Sequence, residues 1–202
     1  MLGPAPAKYG FEVTEPASTP ADVLSTDPAI GPPMLDRETI AARIRELGEQ
    51  IAVDYAGKSP LLICVLRGAY VFMTDLAREI DLPLDVDFIA VSSYGSSTKT
   101  SGVVRLVKDV DQDISGRHVI LVEDIVDTGL TLLYLRRSLE ARSPASLEVC
   151  TFLARSTADL EALKVRYVGF TIAKDDFVIG YGLDLAQKYR NLPYLASYIG
   201  EA

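Results

Sequence analysis

From Asp36 onward, apolar residues recur with two periods. Ile40, Ile44, Leu47 and Ile51 are spaced as one face of a helix, with Asp36, Glu38 and Thr39 suited to its start and Gly57 to its end. Leu61–Leu66 is a short, wholly apolar run, which predicts a buried strand. Arg67-Gly68 punctuates it, and Ala69–Ile80 reads as a second helix. Val86–Ser92, Val103–Val107, His118–Val122, Leu147–Leu153 and Tyr167–Ile172 read as further strands. Between His118–Val122 and Leu147–Leu153 lies a helix over Thr128–Arg142, with Leu132, Leu135 and Leu139 inward and Arg136, Glu140 and Arg142 outward.

Apolar strands alternating with helices predict an α/β fold, a mostly parallel sheet covered on both faces. Ligands of such sheets bind beyond the carboxyl ends of the strands. Residues 93–102 (Ser-Tyr-Gly-Ser-Ser-Thr-Lys-Thr-Ser-Gly) have little apolar content and are expected to form a mobile loop of the kind that covers active sites. The N-terminus differs in kind. Pro4, Pro6, Pro16, Pro20, Pro28, Pro32 and Pro33 crowd residues 1–33, so residues 1–35 are expected to be a flexible extension and 36–202 the folded domain.

Composition narrows the function. The chain has 202 residues, 49% hydrophobic and 24% charged, with a formal net charge of −8. That balance argues against nucleic-acid and anionic-membrane partners, which select basic surfaces. No charge-free stretch is long enough to span a bilayer, and Met1–Gly10 lacks the apolar block of a secretory signal. Cys64 and Cys150 sit singly in apolar runs and read as buried reduced thiols. The expected compartment is the cytoplasm. His118, the only histidine, precedes an apolar strand without a Gly-x-Ser-x-Gly partner, so a Ser-His-Asp hydrolase is not indicated.

The chemistry concentrates in Val119–Thr131. An apolar strand runs into Glu123 and Asp124, Asp127 follows, and Thr128-Gly129-Leu130-Thr131 opens a helix. Backbone N–H groups and hydroxyls at a helix start suit a phosphate monoester. Carboxylates at a strand end can accept hydrogen bonds from ribose hydroxyls or hold Mg²⁺, directly or through water. One strand–loop–helix unit could therefore grip both ends of a ribose 5-phosphate. The plainer alternative is a helix cap and solvated acids.

Glu123–Thr131 resembles the phosphoribosyl-diphosphate (PRPP) motif of the type I phosphoribosyltransferases, in the form found in the bacterial hypoxanthine-guanine phosphoribosyltransferases. Val65-Leu66-Arg67-Gly68-Ala69 is similar to that family's pyrophosphate loop, and Ser92-Ser93-Tyr94-Gly95 to the start of its catalytic lid. Phe177–Asp184 is similar to its purine-binding segment, with Tyr189-Arg190 where the family has a late arginine. Order and spacing agree from about Asp36 to Ile199, leaving residues 1–33 outside.

The resemblance implies a sheet with a small hood, built from parts of the N-terminal region and about residues 174–202. It implies transfer of the phosphoribosyl group from PRPP to a 6-oxopurine, giving the purine nucleotide and pyrophosphate, with Mg²⁺ as cofactor and a homo-oligomer, dimer or tetramer. Asp127 would be the catalytic base beside the purine. Glu123 and Asp124 would take ribose hydroxyls and metal, and Val126, Asp127, Thr128, Gly129, Leu130 and Thr131 the 5′-phosphate. Arg67, Gly68 and Arg190 would meet pyrophosphate, with the Leu66–Arg67 peptide cis. Ser93 and Tyr94 would lie on the lid. Phe177 would stack on the base, Val178 meet its edge, and Asp184 lie near a second metal. Arg155 aligns with the family lysine that meets the 6-oxo group; a planar guanidinium is not equivalent to an ammonium, so preference among hypoxanthine, guanine and xanthine stays open. Asp176 also replaces a commonly basic position. The competing reading is a PRPP-sensing regulator; retention of Asp127, Arg67, the Ser93-Tyr94 loop and Asp184 favours catalysis.

Overall fold

The computed structural model describes residues 27–93 and 104–200. The elements are β1 (Ile30–Leu35), α1 (Arg37–Asp54), β2 (Leu61–Leu66), α2 (Tyr70–Glu79), β3 (Asp85–Ser93), β4 (Val104–Lys108), β5 (His118–Val126), α3 (Leu130–Glu140), β6 (Ser146–Arg155), β7 (Val165–Ile172), β8 (Val178–Ile179) and β9 (Leu195–Tyr198). Six strands form the main sheet in the order β4-β3-β2-β5-β6-β7. Every pair in it is parallel except β3–β4. The central strands are apolar on both faces because both faces are covered. On one side α1 and α2 enclose Ile40, Ile44, Leu62, Phe72, Ile120 and Phe152. On the other, α3 packs Leu132, Leu135 and Leu139 against Leu61, Leu121 and Val149.

Local chemistry sets the helix ends. The Asp36 side chain caps α1, accepting from Thr39 N at 2.7 Å. Gly129, at φ 76°, turns the chain from the sheet into α3; a side chain there would be strained and would strike Leu163.

A second, three-stranded sheet, β1-β9-β8, forms the hood. Its β1 lies in the Pro-rich stretch expected to precede the fold. Pro32 and Pro33 are accommodated because β1 is an edge strand, where a missing N–H is tolerated, and its register with β9 is irregular. Three other expectations are corrected. The strand expected to stop at Val122 continues through both acids to Val126, paired with β6 as far as Ala154. Arg136, expected outward, is 7% exposed: it pairs with Glu140 at 2.8 Å and donates to Leu147 O at 3.4 Å. The helix expected from Thr128 begins at Leu130, leaving Thr128 in the turn. No helix among the described residues is long and apolar enough to cross a membrane.

Leu121 is fully buried at the centre of the sheet, under α3. Leu121→Ala is expected to cost about 2–5 kcal/mol of stability, read from urea denaturation. A loss under about 1 kcal/mol would mean that the α3 layer closes the cavity or contributes little.

Candidate active site

The candidate residues fall into three groups, after β5, after β2 and between β6 and β8. The first is the turn after β5. Asp127 and Thr128 are exposed, Gly129 is buried, and a concavity of about 90 Å³ is lined by Glu123 and residues 125–132. It opens on the start of α3, whose first N–H groups have no partners within the helix, and it has the polarity an anion requires.

The second group surrounds the turn after β2. The Leu66–Arg67 peptide is cis. A methyl group on Gly68 would overlap the Asp124 carboxylate, so only glycine allows the backbone to lie against that acid. Arg190, in the segment between β8 and β9, donates from Nη1 to Gly182 O at 2.7 Å and pairs through Nη2 with Asp184 Oδ1 at 2.7 Å. Gln187 joins the two arginines: its Oε1 accepts from Arg67 Nη1 at 2.9 Å and Arg190 Nη2 at 3.3 Å. Its own N–H donates to Asp184 Oδ2 at 2.7 Å. The segment is wound tightly enough that Tyr181, Ala186, Gln187 and Tyr189 all have positive φ. Each such residue costs about 1–3 kcal/mol, so these contacts must hold it. Tyr181 anchors it to α2 through a hydroxyl bond to Asp75.

The third group is the turn from β7 to β8. Phe177 is 47% exposed, and its ring meets Tyr198 edge-on with centroids 5.9 Å apart. Val178 is buried as the first residue of β8. Arg155 ends β6, and its guanidinium is bonded to the backbone of residues 173 and 176. Of the lid residues, Ser93 closes β3, while Tyr94 lies outside the described residues.

The two adjacent acids do not act as a pair. Successive strand residues face opposite ways. Glu123 lines the concavity of the β5–α3 turn, whereas Asp124 lies against Gly68 within the field of Arg190 and Asp184. Burial drives the Glu123 carboxyl well above the ordinary range, and the Asp124 charge adds to it. Burial also raises Asp124, opposed by N–H donation, including Ile125 N at 2.7 Å, and by Arg190. Glu123 Oε2 is buried without a hydrogen-bond partner, as suits an oxygen meant for a ligand or ion. Among the described residues no cluster of three or more side chains could hold a metal unaided. The cysteines are buried and free; burial pushes the Cys64 thiol up to about 12, which makes it inert. His118 bonds Ser146 Oγ through Nδ1 at 2.8 Å, away from these groups.

Gln187 was not apparent from sequence. Nothing in Leu185–Tyr189 marks it, and only the winding of the segment brings it between two arginines. Tyr198 was missed for the same reason, lying in the unforeseen β9.

A mostly parallel sheet with a small-residue turn into a helix after β5 and an arginine–glycine turn after its neighbour β2 has the form of an α/β protein that binds its ligands at the strand ends. The family model for the phosphoribosyl transferase domain matches residues 34–188. The hypoxanthine-guanine phosphoribosyltransferase of Mycobacterium tuberculosis is 54% identical over 170 residues, covering 81% of this chain and 84% of that one. Its counterpart from Mycobacterium avium is 50% identical over 203 residues, 97% of this chain and 96% of that one. Among solved structures, a Staphylococcus aureus hypoxanthine phosphoribosyltransferase superposes with a TM-score of 0.80 at 38% identity, covering 88% of this chain and 95% of that one. The chain belongs to the type I phosphoribosyltransferases, and within them to the hypoxanthine-guanine phosphoribosyltransferase family.

Glu123 gives a stability prediction. Below the ordinary glutamate range, folded and unfolded chains both carry its proton and burial carries no ionisation penalty. As pH rises through that range toward the elevated folded value, the unfolded chain ionises first and the folded state loses stability. Glu123→Gln is therefore expected to raise the melting temperature of the unliganded protein by a margin that widens as pH rises above the ordinary glutamate range. A margin independent of pH would show that Glu123 is not a buried titrating acid.

Proposed function

We propose that this chain transfers the 5-phosphoribosyl group from PRPP to hypoxanthine or guanine, releasing pyrophosphate, as a cytoplasmic purine-salvage enzyme that works as a homo-oligomer. One observation carries the reading. The Arg67–Gly68 turn and the Asp127–Thr131 turn follow β2 and β5, which are adjacent and parallel. Both turns therefore lie at the same edge of the sheet, one available for each phosphorylated end of PRPP. The relatives named above support the choice of base.

In this reading the backbone and hydroxyls of Val126–Thr131 hold the 5′-phosphate, and Glu123 and Asp124 hold the ribose hydroxyls from opposite sides. A purine ring nitrogen attacks C1′ as the bond from C1′ to the pyrophosphate oxygen breaks. Charge grows on the leaving group, where Arg67, the Gly68 backbone and Arg190 stabilise it. Asp127, exposed beside the cradle, accepts the purine proton and returns the ring to neutrality. Phe177 covers one face of the base, and the Val178 backbone meets its edge. Ser93, at the end of β3, would lie at the root of a lid that excludes water; Tyr94, assigned to the same lid, lies outside the described residues.

The donor set fits Mg²⁺. Asp124 with Asp184 on one side of β5, and the orphaned buried oxygen of Glu123 on the other, offer only one or two protein ligands at either place, and Mg²⁺ binds to such sites largely through water and substrate oxygens. When bound it would neutralise pyrophosphate charge. Asp184, now ion-paired with Arg190, would be shared between that arginine and the water shell.

Nucleotide formation from PRPP and Mg²⁺ is the test, with hypoxanthine, guanine, xanthine and adenine in parallel. Turnover of hypoxanthine or guanine, falling by about 10²–10⁴ in kcat for Asp127→Asn, is expected. Chelation of divalent metal should abolish turnover and added Mg²⁺ restore it. PRPP binding without turnover of any base would overturn the salvage reading in favour of a sensor.

A further inference from the structure

We propose that Arg155 is a positioning residue that sets the aromatic platform of the site by tying together both ends of the turn that carries Phe177. The proposal rests on the reading of Phe177 as the base-stacking ring. Arg155 is the last residue of β6 and pairs with Ile172 of β7, so its side chain leaves the sheet beside the exit of that strand. Nη1 donates to Ala173 O at 2.9 Å and to Asp176 O at 2.6 Å. One nitrogen thus holds the first and last carbonyls of the turn. The Asp176 carboxylate closes the same turn from within, accepting from Ala173 N at 2.9 Å. Asp176, at a commonly basic position, therefore serves the turn rather than the ligand.

Phe177 follows at once and has little packing of its own. Its backbone is held on one side by Tyr198 N, which donates to Phe177 O at 2.9 Å, and its ring touches Tyr198 only edge-on. The other side is held through Asp176, and so by Arg155. A guanidinium nitrogen presents two N–H groups diverging in a fixed plane, which matches two carbonyls at the ends of a turn. A lysine ammonium has the charge but not the plane. Arg155 therefore acts on the base through Phe177 and the Val178 backbone, and the residue at this position tunes base affinity by placing the platform.

Arg155→Gln and Arg155→Lys distinguish this from direct contact with the base. Amide hydrogen exchange is measured on the full-length chain without ligand, and steady-state kinetics with hypoxanthine and PRPP are measured separately. Arg155→Gln should speed exchange across residues 173–178 by about tenfold, with the core of β6 unaffected. KM for hypoxanthine should rise by about tenfold while KM for PRPP stays within about twofold. Arg155→Lys should fall between wild type and Arg155→Gln on both readouts. A rise in KM with unchanged exchange would make Arg155 a direct base contact and overturn the proposal, as would unchanged values of both. If the wild-type chain turned over no purine, the functional reading would fail, while exchange would still decide whether Arg155 ties the turn.

Discussion

The site depends on how closely the backbone after β2 can approach the carboxylate at the end of β5. Gly68 lies against Asp124 with no room for a side chain. That contact places a basic turn beside a partly buried acid and leaves space above both for the segment between β8 and β9. Arg190 then completes the arrangement from the hood. It satisfies Gly182 O, pairs with Asp184 and shares Gln187 with Arg67. Two sheets with no strand in common, which share one apolar core, are thereby also joined by polar contacts at the strand ends.

The acids in β5 show how one strand can run from an apolar core into polar chemistry. His118–Val122 supplies the apolar centre of the sheet, and the same strand continues through Glu123 and Asp124 without breaking its ladder with β6. Alternation sends the two carboxylates to different neighbourhoods. Burial raises both carboxyls; N–H donors and Arg190 offset part of the rise at Asp124, whereas Glu123 has no such relief and keeps an oxygen with no partner. A buried polar atom left unpartnered in this way costs the fold stability.

Much of this was legible along the chain. The periods of 3.6 and of continuous apolar runs place α1, α2, α3 and the strands of the main sheet within a few residues. Asp36 as the cap of α1 and Leu132, Leu135 and Leu139 as the buried face of α3 follow from spacing alone. The less legible parts have physical reasons. Ile30–Leu35 contains Pro32 and Pro33 and looks unable to form a strand; it does so only because β9 offers one edge and asks for few N–H groups. Arg136 looks like a surface residue until Leu147 O and Glu140 provide partners inside.

What the sequence alone determined is the chemistry available at each strand end: the acids, the small residues of the phosphate turn, the basic residue after β2 and the aromatic residue before β8. These are local, because strand ends and helix starts are set by short-range pattern and turn residues. What tertiary structure decided is which of these groups face one another. The divergence of Glu123 from Asp124, the bridge of Gln187 between Arg67 and Arg190, and the engagement of Arg155 with the backbone of 173 and 176 all join residues from separate elements. No period or motif encodes such meetings. They follow from the parallel order of β2, β5 and β6 and from the way the hood closes over their ends, which brings distant side chains within hydrogen-bond range.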